Sequence, residues 1–102
     1  MSEYLSDSAK IFAAFCDETR LRALELLRNG EKCADALLKQ VEVGQSTLSH
    51  HMKILVESKI VTARREGKRT YYSICEEGRK YAVELLDRLT TLTMNNTAAA
   101  SM

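Results

Sequence analysis

The chain has 102 residues, 45% of them hydrophobic, and a formal net charge of +1. That length suits one compact domain, and so small a net charge excludes binding to polyanions through bulk charge alone. No apolar run approaches the roughly 20 residues needed to cross a bilayer. The start, MSEYLSDSAK, is polar and acidic where a secretory signal would be basic and then apolar. The expectation is a cytoplasmic protein with no membrane partner.

Residues Leu5, Ala9, Phe12 and Cys16 recur at helical spacing and predict a first helix with one apolar face. Asp17 is placed to cap a second helix, with Glu18 favourable in its first turn. Its inner side is expected to carry Leu21, Leu24 and Leu27-Arg28, and Asn29-Gly30 stops it. A short third helix, about Cys33 to Gln40, directs Leu37 and Leu38 inward. After the brief link Val41 to Gly44 comes a fourth helix, about Gln45 to Ser58, reading QSTLSHHMKIL at its start. Val43 and Leu48 stand where a hydrophobic staple would fix the approach of the chain to that helix.

Beyond Lys59 the pattern changes. Ile60 to Arg65 and Arg69 to Ile74 are rich in β-branched and aromatic residues around the turn Glu66-Gly67-Lys68, which predicts a β-hairpin. From Glu76 the helical pattern returns, with an apolar stripe of Ala82, Leu85, Leu86, Leu89 and Leu92. The last residues, 94–102, are small and unpatterned and are expected to form a frayed tail to a domain spanning residues 1–93. The expected architecture is mainly α with a β-hairpin wing, in the order α-α-α-α-β-β-α. Its third and fourth helices form a helix-turn-helix.

On the fourth helix Leu48, Met52 and Leu55 share one face, which must be buried. Gln45, Ser46, Thr47, Ser49, His50 and Lys53 face away, with no carboxylate before Glu57. Short hydroxyls, an amide, an imidazole and a lysine suit phosphates and base edges in a major groove. The stretch RREGKR adds Arg64, Arg65, Lys68 and Arg69 at a protruding tip, placed to reach a backbone or minor groove beside the helix. Tyr71 and Tyr72 alternate faces, so one is expected to pack on the core and the other to offer its hydroxyl to phosphate. Either feature alone could be an ordinary solvated surface. In this order they point to double-stranded DNA.

These residues resemble the ArsR/SmtB family of bacterial winged-helix repressors over nearly the whole chain to about Leu92. The likeness is carried by CDETRLRAL (Cys16 to Leu24), QSTLSHHMKIL, ESKIV (Glu57 to Val61) and the wing ARREGKRTYYSI. It implies a homodimer joined through the first and last helices, a palindromic operator, and release by an effector. Arsenite-sensing members carry Glu-Leu-Cys-Val-Cys-Asp in the third helix, and Glu31 to Ala36 is the matching stretch. Cys33 matches the first cysteine, but Asp35 replaces the second, and soft ions need several thiolates. Family members that bind zinc between their last helices use aspartate and histidine, and EEGRKYAVELLDRL has no histidine.

The three cysteines, Cys16, Cys33 and Cys75, are too few and too scattered for a disulfide framework. They are either buried small hydrophobes or reactive thiols; the sequence identifies no cofactor and no complete metal site, a thiol-bound metal or metalloid being one option that sensing thiols leave open. Cys16, on the first helix's apolar stripe, reads as buried. His50 and His51 are adjacent, whereas paired zinc ligands on a helix stand at i, i+4, so neither is expected to bind metal. His51, near Met52 and Leu55, is expected to be partly packed and to donate to a backbone carbonyl. A winged-helix module that binds another protein, without an inducer response, is the alternative, and loss of binding to every promoter fragment would favour it. An enzyme has no motif in its support.

Overall fold

The computed structural model describes residues 2–93; the expected tail, 94–102, lies outside them. Helix α1 (Glu3–Ala13) starts at Ser2, whose hydroxyl accepts from the Leu5 N–H at 3.2 Å. Helix α2 (Glu18–Leu27) starts at Asp17, whose carboxylate accepts from the Arg20 N–H at 3.1 Å, so the expected cap is present. Gly30, at φ +131°, turns the chain out of α2.

The short strand β1 (Lys32–Cys33), helix α3 (Ala34–Gln40) and helix α4 (Gln45–Glu57) follow. Strands β2 (Val61–Glu66) and β3 (Arg69–Ile74) then form the wing, and helix α5 (Glu76–Thr90) closes the described chain. The wing turns over Gly67 at φ +63°, a two-residue turn with glycine first, matching the strands' twist. The architecture is the winged helix-turn-helix the sequence predicts, with one addition. Strand β1 pairs antiparallel with β3, giving a three-stranded sheet in the order β1-β3-β2. Two residues have no periodicity to read, so this strand is invisible to pattern.

The core gathers Ala23 and Leu27 of α2, Leu37 of α3, Leu48, Met52 and Leu55 of α4, and Ile60, Val61 and Ala82 around them. The inner side of α2 therefore differs from expectation. Ala23 and Leu27 are buried and Leu24 half-buried, but Leu21 is 47% exposed and Arg28 is exposed. The small Ala23 lets α2 approach α4 closely, which turns the Leu21 row outward. Helix α1 differs in the same way. Its inward row is Tyr4, Ser8, Ile11 and Phe15, while Leu5, Ala9 and Cys16 are exposed. Cys16 is thus not a buried thiol within the protomer.

Helix α4 ends in a tight hydrogen-bonded stop. The Lys59 N–H donates to Val56 O at 3.0 Å and the Ile60 N–H to Leu55 O at 3.2 Å, with Lys59 left-handed at φ +69°. Helix α5 begins on this stop. The Cys75 N–H donates to Ile60 O at 2.8 Å, and a β-carbon at Gly78 would collide with the Lys59 carbonyl.

Candidate nucleic-acid interface

Helix α4 divides as its spacing requires. Leu48, Met52 and Leu55 are at most 3% exposed, whereas Gln45, Ser46, Thr47, Ser49, His50 and Lys53 are exposed. Gly44 occupies the cap position without a side-chain bond, so the free N–H groups of the first turn point outward beside Gln45 and Ser46. Those groups can donate to a phosphate oxygen.

The wing joins this surface. A polar cleft of about 170 Å³ is lined by Gln45 and Ser49 of α4 together with Lys68, Arg69 and Thr70 of the wing. Arg65 lies opposite Thr70 in the strand register, on the same face as Val61 and Tyr72. Arg65, Lys68 and Arg69 have no ion-pair partner among the described residues. Arg64 is placed differently. Its guanidinium is held by Glu31 at 2.8 and 2.9 Å and by Glu66 at 2.9 Å. Tyr72 packs against the core, and burial raises its hydroxyl pKa. Tyr71 lies under the Arg64 guanidinium, 4.5 Å from ring centre to the guanidinium carbon.

Asp35 also lines the cleft beside Gln45 and Ser49. The pattern of α4 alone gave no hint of an acid there, because Asp35 comes from α3.

His51 has a partner of another kind from the one expected. Its Nδ1 lies 2.8 Å from Nη1 of Arg20 and 3.6 Å from the Asp17 carboxylate. A guanidinium only donates, so Nδ1 accepts and the ring proton sits on Nε2. The backbone carbonyls nearby, Ala14 O and Ala13 O, are taken by Arg20 at 2.8 and 3.2 Å. Arg20 therefore ties the end of α1 to α4 through His51. The Arg20 backbone N–H, with a smaller contribution from the Arg20 guanidinium charge, holds the Asp17 carboxyl below its usual pKa.

The cysteines stand apart. Cys33 borders the polar cleft and is half-buried. Cys75 caps α5, its sulfur accepting from the Gly78 N–H at 3.4 Å. Cys33 pairs with Tyr71, four residues before Cys75 on β3, which separates the two by roughly 13 Å at about 3.3 Å per residue. That is too far for a disulfide or a shared ion within one protomer. Among the described residues, no group of three or more histidines, cysteines or acids is placed to hold a metal ion.

Relatives fit this surface. The description "Bacterial regulatory protein, arsR family" matches residues 17–63. An uncharacterized HTH-type transcriptional regulator of Methanocaldococcus jannaschii is 40% identical over 85% of this chain and 99% of its own. An arsenical resistance operon repressor of Staphylococcus xylosus is 41% identical over 79% of this chain and 78% of its own. In three dimensions the chain is similar to the homodimeric winged helix-turn-helix DNA-binding domain of a possible ArsR-family regulator of Mycobacterium bovis. That match has a TM-score of 0.69 and 28% identity, covering 96% of each chain. The chain belongs to the arsR family of bacterial regulatory proteins and is a DNA-binding transcriptional repressor rather than an enzyme.

Proposed function

We propose that this repressor works as a homodimer on a palindromic operator and is released by an effector that reacts with thiols or is a soft metal or metalloid. Helix α4 lies in the major groove, with Gln45, Ser49 and His50 toward base edges and Ser46, Thr47 and Lys53 toward the backbone. Arg65, Lys68 and Arg69 hold phosphates or a minor groove alongside. The observation that carries this reading is the single cleft joining Gln45 and Ser49 to Lys68 and Arg69. One nucleic-acid backbone can engage both elements at once.

Dimerisation is supported by apolar side chains that the protomer leaves uncovered. Leu5 of α1 and Val83, Leu86 and Leu89 of α5 are each 45–56% exposed. The M. bovis relative is itself homodimeric. A repressor that acts on promoter DNA would do so in the cytoplasm. Cys33 supports a thiol-dependent release, because anything attached to its sulfur would enter the cleft that faces DNA.

The test is a binding assay on a duplex carrying the sequence upstream of the chain's own gene, titrated with arsenite, zinc, cadmium and an oxidant. Saturable binding that one of these reverses is expected. Cys33→Ser should bind the duplex as well as the wild type but lose most of that reversal. Reversal that persists after all three cysteines are replaced would rule out a thiol effector.

A further inference from the structure

We infer that Arg64 is a positioning residue that braces the wing through Glu31, and is not one of the groups that touch phosphate. The inference rests on the DNA-binding reading above. Arg64 Nε and Nη2 meet Glu31 Oε2 and Oε1 at 2.8 and 2.9 Å, a parallel fork, and Nη1 meets Glu66 Oε1 at 2.9 Å. Tyr71 closes one face of the guanidinium. The donors a phosphate would use are already directed at carboxylates.

The strand register gives the direction. Arg64 lies opposite Tyr71 and shares its face with Thr62 and Ser73, whereas Arg65 shares the face of Val61 and Tyr72. Neighbouring arginines therefore point to opposite sides of the wing, and the cleft to α4 is lined by Thr70 and Tyr72 from the Arg65 side, with Arg69 at the tip joining it from the other face. Charge agrees with geometry. The cluster of Arg64 with Glu31 and Glu66 sums to −1, from one cation and two acids, so it offers a polyanion no free positive charge. The bonds to Glu31 and Glu66 raise the arginine's pKa, and the arginine lowers that of Glu31.

A brace here has mechanical work to do. Strand β1 supports β3 only at Tyr71 and Tyr72, and beyond them the wing is a two-stranded ribbon. Glu31 immediately precedes β1, and Arg64 sits on β2. Their contact spans the central strand and ties the outer strands together, which sets the angle at which Lys68 and Arg69 approach α4.

The upstream duplex separates brace from phosphate contact. Glu31→Gln removes a negative charge, yet it should weaken binding about two- to five-fold, as expected for losing an exposed ion pair. Arg64→Ala should weaken binding similarly while leaving the slope of log affinity against log salt within about 0.3 of wild type. Arg65→Ala should instead lower that slope by about 0.9, one phosphate contact. In a Glu66→Gln background, exchanging the pair as Glu31→Arg with Arg64→Glu should restore affinity relative to Arg64→Glu alone. Tighter binding by Glu31→Gln, a slope loss of about 0.9 for Arg64→Ala, or no rescue by the exchange would each overturn the brace. The free protein gives a readout independent of DNA. The Arg64 Nε–H should be slow to exchange with water in the wild type and fast in Glu31→Gln; fast exchange in both overturns the inference. If the wild type fails to bind the duplex, the operator reading falls and this exchange measurement alone decides the brace.

Discussion

Lys59 adopts a backbone conformation that favours glycine, and it does so where helix α4 stops and α5 is seated. A left-handed residue with a β-carbon costs about 1–2 kcal/mol, partly offset by the ~0.5–1 kcal/mol of entropy glycine would lose on folding. Lys59→Gly should therefore stabilise the protein by about 0.5 kcal/mol in urea unfolding, with an unchanged m-value. Gly78→Ala should have the opposite sign, a loss of about 1–3 kcal/mol or more, because its methyl group meets a backbone carbonyl that cannot swing away. A stabilised Lys59→Gly together with a neutral Gly78→Ala would show that α5 does not sit where it is described. Asp17 offers a pH test at the same scale. Its pKa is depressed on folding, chiefly by the Arg20 N–H, so its contribution is present above the unfolded value near 3.8 and is lost as pH falls through the folded one. Asp17→Asn keeps the cap but has no carboxyl to titrate. The stability difference between wild type and Asp17→Asn should shrink between pH 5 and roughly pH 2, as measured by chemical denaturation at each pH.

Among the elements, α4 was legible in the sequence almost to the residue, because Leu48, Met52 and Leu55 form one unambiguous apolar row in an otherwise polar segment. Helix α1 was legible as a helix but not in its rotation. Tyr4, Ile11 and Phe15 make one apolar row and Leu5, Ala9, Phe12 and Cys16 another, about 100° away, and only the surface facing each decides which turns inward. The same ambiguity turned Leu21 outward on α2. Pattern also could not show that Arg64 and Glu31 meet, since they are 33 residues apart and β1, which brings them together, is two residues long. The exposed polar surface proposed to meet DNA was legible, because the polarity of α4 and the basic wing are both local. Asp35 was not, being delivered from a different helix. The wing carries its own prediction. Arg69→Ala should weaken binding to all duplexes alike and reduce the salt slope by about 0.9, while Ser49→Ala should change preference at particular base pairs with little change in slope. Equal losses on every sequence from Ser49→Ala would remove it from the base-reading set.

For the molecule as a whole, the uncovered leucines of α5 matter most. Leu86 and Leu89 are 56% and 45% exposed on a helix whose other face, Ala82 and Leu85, is buried. A helix that is apolar on two sides in a small domain calls for a second covering surface. Replacing Leu86 and Leu89 with glutamate should leave the protomer folded by circular dichroism, yet shift sedimentation from dimer to monomer. Operator affinity should then fall by about 100-fold or more, since each half-site would be held by one protomer without the gain from linkage. A variant that remained dimeric would move the interface elsewhere.

The seat of Gly78 on the Lys59 carbonyl has a consequence for the DNA rather than for the protein. It leaves no slack between the end of the reading helix and the start of the helix proposed to join the two copies, so a dimer would carry its two reading helices at one fixed separation and one fixed azimuth. B-DNA turns about 35° and advances about 3.4 Å with each base pair. A spacer one base pair longer would rotate the second half-site out of phase by more than a rigid joint can follow. In such a protein the length of the spacer is part of the recognition sequence, specified by a glycine that never touches a base.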